Sequence, residues 1–90
     1  MVLNLFANIV TKLPRVTGNQ LIKYLINKKG FRQSHQKGSH VSLRNDNSNK
    51  FTSVPAKNKE LGTGLTRQIL EDCGITRNEF VQDYQNGLIK

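Results

Sequence analysis

His40 is the best candidate in this chain for a residue that transfers protons, because of the residues next to it. It ends the run Lys37-Gly38-Ser39-His40, in which a short glycine–serine pair separates an ammonium group from an imidazole. Imidazole takes up and releases protons near neutral pH, and a cation beside it can hold a phosphate. Two more cations, Lys57 and Lys59, follow in the run VPAKNKEL at 54–61. These residue types predict acid–base chemistry at a phosphate group.

The positive charge of the chain is concentrated in its first half. The net charge is +8, and residues 1–45 hold eight lysines and arginines with no acid, whereas residues 46–90 hold six residues of each sign. Such a one-sided potential attracts polyanions, of which nucleic-acid backbones are the commonest. Charge alone does not separate RNA from DNA or from an acidic protein, and a merely solvated surface is the other explanation.

Length and composition exclude several classes of protein. Ninety residues make one small domain that buries roughly 60–65% of its unfolded surface. The single cysteine, Cys73, excludes an internal disulfide, and the absence of clustered ligands predicts no metal and no cofactor. The expected compartment is therefore the reducing cytoplasm.

Residues 1–10 are apolar and uncharged, but they lack the leading cations of a signal peptide and are half the length of a membrane span. We interpret residues 1–11 as an N-terminal extension of a single domain at 12–90.

Local signals predict the first helix and a three-stranded meander. Thr17 and Gln20 form a capping box, and a helix over 17–29 ends at Gly30. The apolar face of this helix is assigned to Leu21, Ile22, Leu25 and Ile26. Strands are predicted at 31–37, 39–45 and 50–54, with the asparagine-rich turn 45–49 between the last two.

Two helices follow the strands. Leu65, Ile69, Leu70 and Cys73 form an apolar stripe that Gly74 ends. Thr76 and Glu79 form a second capping box, and Ile75 and Phe80 are placed as a hydrophobic staple. The prediction is an α+β fold of order α-β-β-β-α, with a three-stranded antiparallel sheet and a short C-terminal helix.

Strand alternation predicts that His40 faces solvent. Val41 and Leu43 belong to one face of the second strand, so His40 and Arg44 share the other, and a sheet covered by helices on one side leaves its second side wet. His35 belongs to a polar first strand, where it is either a phosphate contact or a bystander.

Several short motifs, taken in order, resemble one known family. They are 13–18, LPRVTG; the pair Gly30-Phe31; 36–40, QKGSH; Val54-Pro55; 58–61, NKEL; and Gly74-Ile75. Over residues 12–80 the chain resembles the HicA toxins, the mRNA interferases of HicBA toxin–antitoxin pairs. The resemblance implies a fold like the double-stranded RNA-binding domain and ribonuclease activity centred on His40. It also implies neutralisation by a HicB-type antitoxin. We further expect no membrane partner, and either a homodimer or a hetero-oligomer with the antitoxin.

The chemistry that fits these residues is metal-free RNA cleavage. RNA supplies its own nucleophile, the 2′-hydroxyl, so a base, an acid and cations around the phosphorane are needed. His40 fills one proton role, and the second proton carrier is left open between His35, Tyr24 and a water. The candidates for phosphate binding are Lys37, Arg44 and Lys59, followed by Lys57 and Arg67. Each of these is as easily explained as an ordinary surface cation.

Two other functions use the same fold. The first is a passive RNA-binding module in which His40 contacts the minor groove of A-form RNA. The second is a small interaction protein whose basic half docks an acidic partner. Loss of cleavage in His40→Ala and a steep salt dependence of RNA binding separate these functions from a ribonuclease.

Overall fold

The computed structural model describes residues 12–90, and the extension predicted at 1–11 lies outside the described residues. The elements, in chain order, are α1 (Gly18–Lys28), β1 (Arg32–Lys37), β2 (His40–Asn45), β3 (Lys50–Pro55), α2 (Thr63–Cys73) and α3 (Arg77–Gln85). The predicted α-β-β-β-α order with a C-terminal helix is confirmed. No helix within 12–90 is long and apolar enough to cross a membrane.

The three strands form one antiparallel sheet in the order β1-β2-β3, so β2 is central. Along β2 and β3, buried residues alternate with more exposed ones, and the buried set is Val41, Leu43, Thr52 and Val54. This inner face packs against the helices, whereas every residue of β1 is exposed. The helical layer therefore leaves the opposite side of the sheet uncovered.

The core is formed by one cluster of buried side chains that extends from Leu13 to Ile89. Its largest members include Tyr24 of α1 and Phe80 of α3, whose rings meet edge to face at 5.6 Å between centroids. Leu21 and Leu25 are buried as predicted, but the assignment of Ile26 to the same face is wrong, because Ile26 is exposed. Tyr24, whose polar tip reaches α3, occupies the buried face instead.

The predicted stripe of α2 is wrong at one position. Leu65 is exposed and Thr66 is fully buried, so the buried positions are Thr66, Ile69, Leu70 and Cys73, spaced i, i+3, i+4 and i+7. The Thr66 hydroxyl donates to the Gly62 carbonyl oxygen at 3.1 Å. Its polar group is thus satisfied within its own helix, so burial carries little penalty.

The predicted helix ends are largely confirmed. The Thr17–Gln20 capping box is complete, and Gly74 ends α2 in a left-handed conformation. At α3 only half of the predicted box is present: Thr76 Oγ1 accepts from the Glu79 amide, but the Glu79 carboxylate accepts from Lys29 Nζ. A long-range ion pair has taken the place of a local cap.

Lys29 joins α1 to α3 through two carboxylates. Its Nζ lies 2.5 Å from Glu79 Oε2 and 2.8 Å from Asp83 Oδ2, and the Tyr24 hydroxyl donates to Asp83 at 2.6 Å. Burial acts to raise the pKa of Asp83, but the hydrogen bonds from Lys29 and Tyr24 outweigh it and lower that pKa below its ordinary value. Burial makes the largest contribution to raising the pKa of Tyr24, and the hydrogen bond to ionised Asp83 makes the next largest.

Removing the Asp83 charge should destabilise the protein in a pH-dependent way. Asp83→Asn keeps an oxygen that can accept from Tyr24 but loses the ion pair with Lys29, so we expect a loss of about 1 kcal/mol at pH 7, or a midpoint about 4–8 °C lower. Because the folded-state pKa is lowered, this contribution is present above the ordinary value of about 3.9 and is lost as pH falls through the lower folded value. Thermal melts of both proteins from pH 7 to pH 2 test this. A deficit that stays constant over the acidic range would contradict it.

Candidate functional site

A two-residue turn places His40 at the start of the central strand. Gly38 and Ser39 join β1 to β2, and Gly38 has a φ of +59°. A positive φ at the first central position only is the type II′ pattern, which suits glycine and the twist of a hairpin. The strand predicted from residue 39 therefore begins one residue later, at His40. Lys37 and His40 pair directly across the turn.

The strand register defines the sheet surface that carries His40. Directly paired residues share a face, and Lys37, His40 and Pro55 form one such row across the sheet. The side opposite the helices, called here the outer face, consists of Arg32, His35, Lys37, His40, Ser42, Arg44, Phe51, Ser53 and Pro55. His40 is exposed, as the alternation predicted. None of these nine outer-face residues is acidic.

His35 lies on the outer face one step from His40. It pairs with Ser42, which is two residues after His40 on β2, so the two histidines are diagonal neighbours with Cα atoms about 7–8 Å apart. Long side chains at that spacing reach a common ligand. Of the two side chains predicted as second proton carriers, His35 is the one that the fold places beside His40.

Tyr24, the other predicted proton carrier, is not at this site. It is 1% exposed in the core on the helical side of the sheet, and its hydroxyl is bound to Asp83. Its raised pKa also makes it a poor acid. The prediction for Tyr24 is therefore wrong: α1 turns this side chain inward to pack on Phe80.

A β-bulge changes which side chains of β1 face outward. The pairing shifts between Gln33 and His35, and Ser34, left without a partner in the register, donates its hydroxyl to the Ser42 carbonyl oxygen at 3.3 Å. The extra residue moves Arg32 to the outer face, opposite Arg44. Sequence reasoning missed Arg32, because plain alternation from Lys37 places it on the inner face.

Arg44 shares a face with His40 but lies at the other end of β2. Arg44 is four positions after His40, or about 13 Å along a strand. Its guanidinium donates to Asp46 Oδ1 at 3.3 Å and to Asn49 Oδ1 at 3.0 Å. Asp46 also accepts a hydrogen bond from Arg32. This bond lowers the pKa of the Asp46 carboxylate, and the contacts with Arg44 lower it by a smaller amount. Arg44 is thus held away from the His40 end.

The loop after β3 is attached to the start of α1 beside His40. The Ala56 amide donates to the Ser39 carbonyl oxygen, and the Lys57 carbonyl oxygen accepts from the Asn19 amide. The Asn19 side chain donates to Asn58 Oδ1 at 2.6 Å. Gly18 makes this approach feasible, because a Cβ at that position would collide with the Pro55 carbonyl oxygen.

Lys57 and Lys59 are both exposed on this loop, which comprises residues 56–62 and is called here the anchored loop. Lys57 stands two residues after Pro55, the direct partner of His40. The structure therefore brings the Lys57–Lys59 segment to the His40 end of the sheet.

Arg67 belongs to a separate group of cations. It lines a cavity of about 400 Å³ with Lys12, Arg15 and Arg77, between residues 12–15 and the starts of α2 and α3. Glu71 lines an adjoining cavity with Arg67 and Arg77. Arg67 is thus a surface cation of the helical layer and not of the outer face.

Cys73 is buried, and burial, with a smaller effect from Asp72, raises the pKa of its thiol to about 12. A thiol in that state is a weak nucleophile. Within residues 12–90, no three histidine, cysteine or acidic side chains are grouped so that they could hold a metal ion.

The family model described as the HicA toxin of bacterial toxin–antitoxin systems matches residues 18–75. That range holds the three strands, His40 and the anchored loop, and it is nearly two thirds of the chain. Neither the curated proteins nor the solved structures contain a significant match.

Proposed function

Because this chain belongs to the HicA toxin family of bacterial toxin–antitoxin systems, we propose that it is a metal-independent endoribonuclease that cleaves mRNA on the outer face of its sheet. The observation that carries the proposal is the position of His40. It is exposed at the end of the central strand, directly beside Lys37 and one diagonal step from His35. With mRNA as its substrate, the protein would act in the cytoplasm.

The proposed reaction uses the 2′-hydroxyl of the RNA as the nucleophile. One imidazole takes the 2′-proton while the 2′-oxygen bonds to phosphorus, and a second group protonates the 5′-oxygen as the phosphorus–5′-oxygen bond breaks. The products are a 2′,3′-cyclic phosphate and a 5′-hydroxyl. His40 takes one proton role, and its diagonal spacing supports His35 for the other.

The cations divide between the scissile phosphate and the rest of the strand. Lys37 is the cross-strand neighbour of His40, so it is best placed to stabilise charge on the phosphorane. Lys57 and Lys59, on the anchored loop, hold an adjacent phosphate. Arg44, about 13 Å from His40 along β2, contacts RNA beyond the scissile step. Arg67 contributes only to general attraction of RNA from the helical layer.

Cleavage should survive removal of divalent metal and should require the 2′-hydroxyl. We expect wild-type protein to cut an unstructured RNA equally well in EDTA and in magnesium, because the RNA supplies the nucleophile and neither proton transfer needs a metal ion. Denaturing gels and mass spectrometry of the 3′-ends should show cyclic phosphate. The same sequence made as DNA should remain intact.

The matched substrate control is an RNA with one 2′-deoxy nucleotide at the mapped cut site, which should block that cut alone. Inhibition by EDTA that magnesium reverses, or 3′-hydroxyl products, would contradict the proposed chemistry.

The proposal includes an acidic HicB-type antitoxin as the partner. Arg32 and Arg44 on the outer face are paired with Asp46, but no outer-face residue gives Lys37 an acidic partner. A protein that covers Lys37 without counter-charge therefore leaves a desolvated cation, at several kcal/mol per ion. Acidic residues over Lys37 and His40 would offset that penalty and exclude RNA at the same time. Inhibition would then be simple occlusion.

Occlusion predicts that the antitoxin and RNA compete for Lys37. Lys37→Glu should weaken RNA binding and antitoxin binding together, each by tenfold or more, because like charges meet at both interfaces. Lys23→Glu is the matched control, since Lys23 is an exposed lysine of the helical layer, and it should affect both far less. Titration calorimetry with the antitoxin and anisotropy with labelled RNA give the two affinities. A stable ternary complex of toxin, antitoxin and RNA would contradict occlusion.

A further inference from the structure

Phe51 is the most exposed large hydrophobic side chain within residues 12–90, at 66% of its full exposure. It lies on β3 and pairs with Arg44 of β2, so its ring stands on the outer face. The other phenylalanines of the described part, Phe31 and Phe80, are buried. Phe51 is the second residue of β3, an edge strand, and its open ring forgoes the burial energy that phenylalanine ordinarily contributes.

The ring has a fixed cation beside it. The guanidinium carbon of Arg44 lies 5.9 Å from the ring centroid of Phe51, within the range of a cation–π contact. Arg44 is held by Asp46 and Asn49, and Asp46 is held in turn by Arg32 at 2.7 Å. The planar guanidinium and the ring thus form a preorganised pair, here called the Phe51–Arg44 platform. Preorganisation lowers the entropy lost when a planar ligand stacks on it.

The platform lies on the same face as His40. Arg44 is four residues along β2 from His40, about 13 Å, which only a few nucleotides span. Between them β2 and β3 carry only the small side chains of Ser42 and Ser53 on this face, and His35 stands beside Ser42 on β1. An RNA strand bound at His40 can therefore reach the platform along β2 and β3 without meeting a large side chain.

We infer that the Phe51–Arg44 platform stacks one unpaired nucleobase of the RNA, a few nucleotides from the bond cut at His40. The inference rests on the proposed function and adds a substrate class, RNA that is single-stranded at this position. A base inside a duplex cannot offer its face to the ring, whereas an unpaired base of any type can. Selection is therefore for unpaired structure more than for sequence.

An acidic protein partner is the alternative occupant of this surface. The cation beside the ring favours RNA, because one nucleotide offers a base that can stack on the ring and a phosphate that can bind the guanidinium. The continuity of this surface with His40 and Lys37 also favours RNA. The two occupants give different results in the experiment below.

The test compares Phe51→Ala with Phe51→Trp, using Tyr84→Ala as the matched control. Tyr84 is an aromatic of α3 with 43% exposure, away from the sheet. Affinity is measured by anisotropy with 2′-O-methylated RNA, which lacks the nucleophile, so that binding is read whether or not cleavage occurs. We expect Phe51→Ala to weaken binding about 5- to 100-fold, Phe51→Trp to restore it, and Tyr84→Ala to leave it unchanged. Thermal midpoints should not move, since the ring is largely exposed.

A series of RNAs with one abasic nucleotide, moved stepwise along the strand, locates the stacked base. At one position the abasic site should weaken wild-type binding as much as Phe51→Ala does and should not weaken Phe51→Ala further. Equal effects at every position, or unchanged affinity in Phe51→Ala, would overturn the inference while leaving cleavage at His40 intact. Loss of antitoxin binding with RNA affinity retained would assign the platform to the protein partner instead.

Discussion

Replacing His40 by alanine should abolish RNA cleavage while leaving the fold and RNA affinity nearly unchanged. The side chain is exposed and packs in no part of the core, so its removal creates no cavity. A positioned general acid or base contributes about 10²–10⁴-fold to the rate, and cleavage should fall by that factor. Cleavage of an unstructured RNA, its binding and thermal unfolding should be measured on the same preparation.

His35→Ala is the companion variant that identifies the second proton carrier. If both histidines act on one phosphate, each single variant should lose most of the activity, and the double variant should be little worse than either. If only His40→Ala is inactive, a water carries the second proton. Cleavage retained in His40→Ala would contradict the catalytic assignment of His40. RNA binding without cleavage by the wild type would leave the chain a passive RNA-binding module of the same fold.

Gly18→Ala should strongly destabilise the protein. The added Cβ would overlap the Pro55 carbonyl oxygen, which belongs to the backbone at the end of β3 and cannot rotate away. Overpacking typically costs about 1–3 kcal/mol, and a backbone collision should lie at or above the upper end, lowering the midpoint by roughly 12–24 °C. Because Pro55 is the partner of His40, variants that still fold should also cleave poorly.

Gly64→Ala is the control for this prediction. Gly64 is the second residue of α2 and has open space where a Cβ would stand. Alanine there should raise stability by up to about 1 kcal/mol through helix propensity. Denaturant unfolding of the three proteins gives the free energies. A Gly18→Ala protein as stable as the wild type would mean that α1 and β3 do not meet as described.

The local elements were predictable because their signals are contained in a few neighbouring residues. The Thr17 capping box, the Asn45 side chain that accepts from the Asn47 and Ser48 amides, and the alternation at Val41 and Leu43 need no distant partner. The rotation of α2 was not predictable in this way. Leu65 and Thr66 are adjacent, and the packing of α2 against β3 decides that Thr66 is buried and Leu65 is exposed.

The distribution of charge illustrates the same limit. By sequence, the net charge lies wholly in residues 1–45, but the fold brings three acids of the second half onto this part. Glu79 and Asp83 pair with Lys29, and Asp46 pairs with Arg32 and Arg44. Lys37 at the His40 end is outside both groups. The surface potential therefore depends on ion pairs between residues as far apart in the chain as Lys29 and Asp83, and a count of charges along the sequence does not contain them.

The amino-acid sequence by itself determined the order of the elements, the exposure of His40 and the pairing of an imidazole with Lys37, because alternation and turn chemistry act over a few residues. Only the tertiary structure decided that His35 lies diagonal to His40, that Tyr24 is turned into the core and that Phe51 stands open beside Arg44. The reason is physical: register, the bulge after Gln33 and the packing of helices on one side of the sheet are set by long-range pairing. A one-residue shift in strand register moves side chains to the opposite face of the sheet.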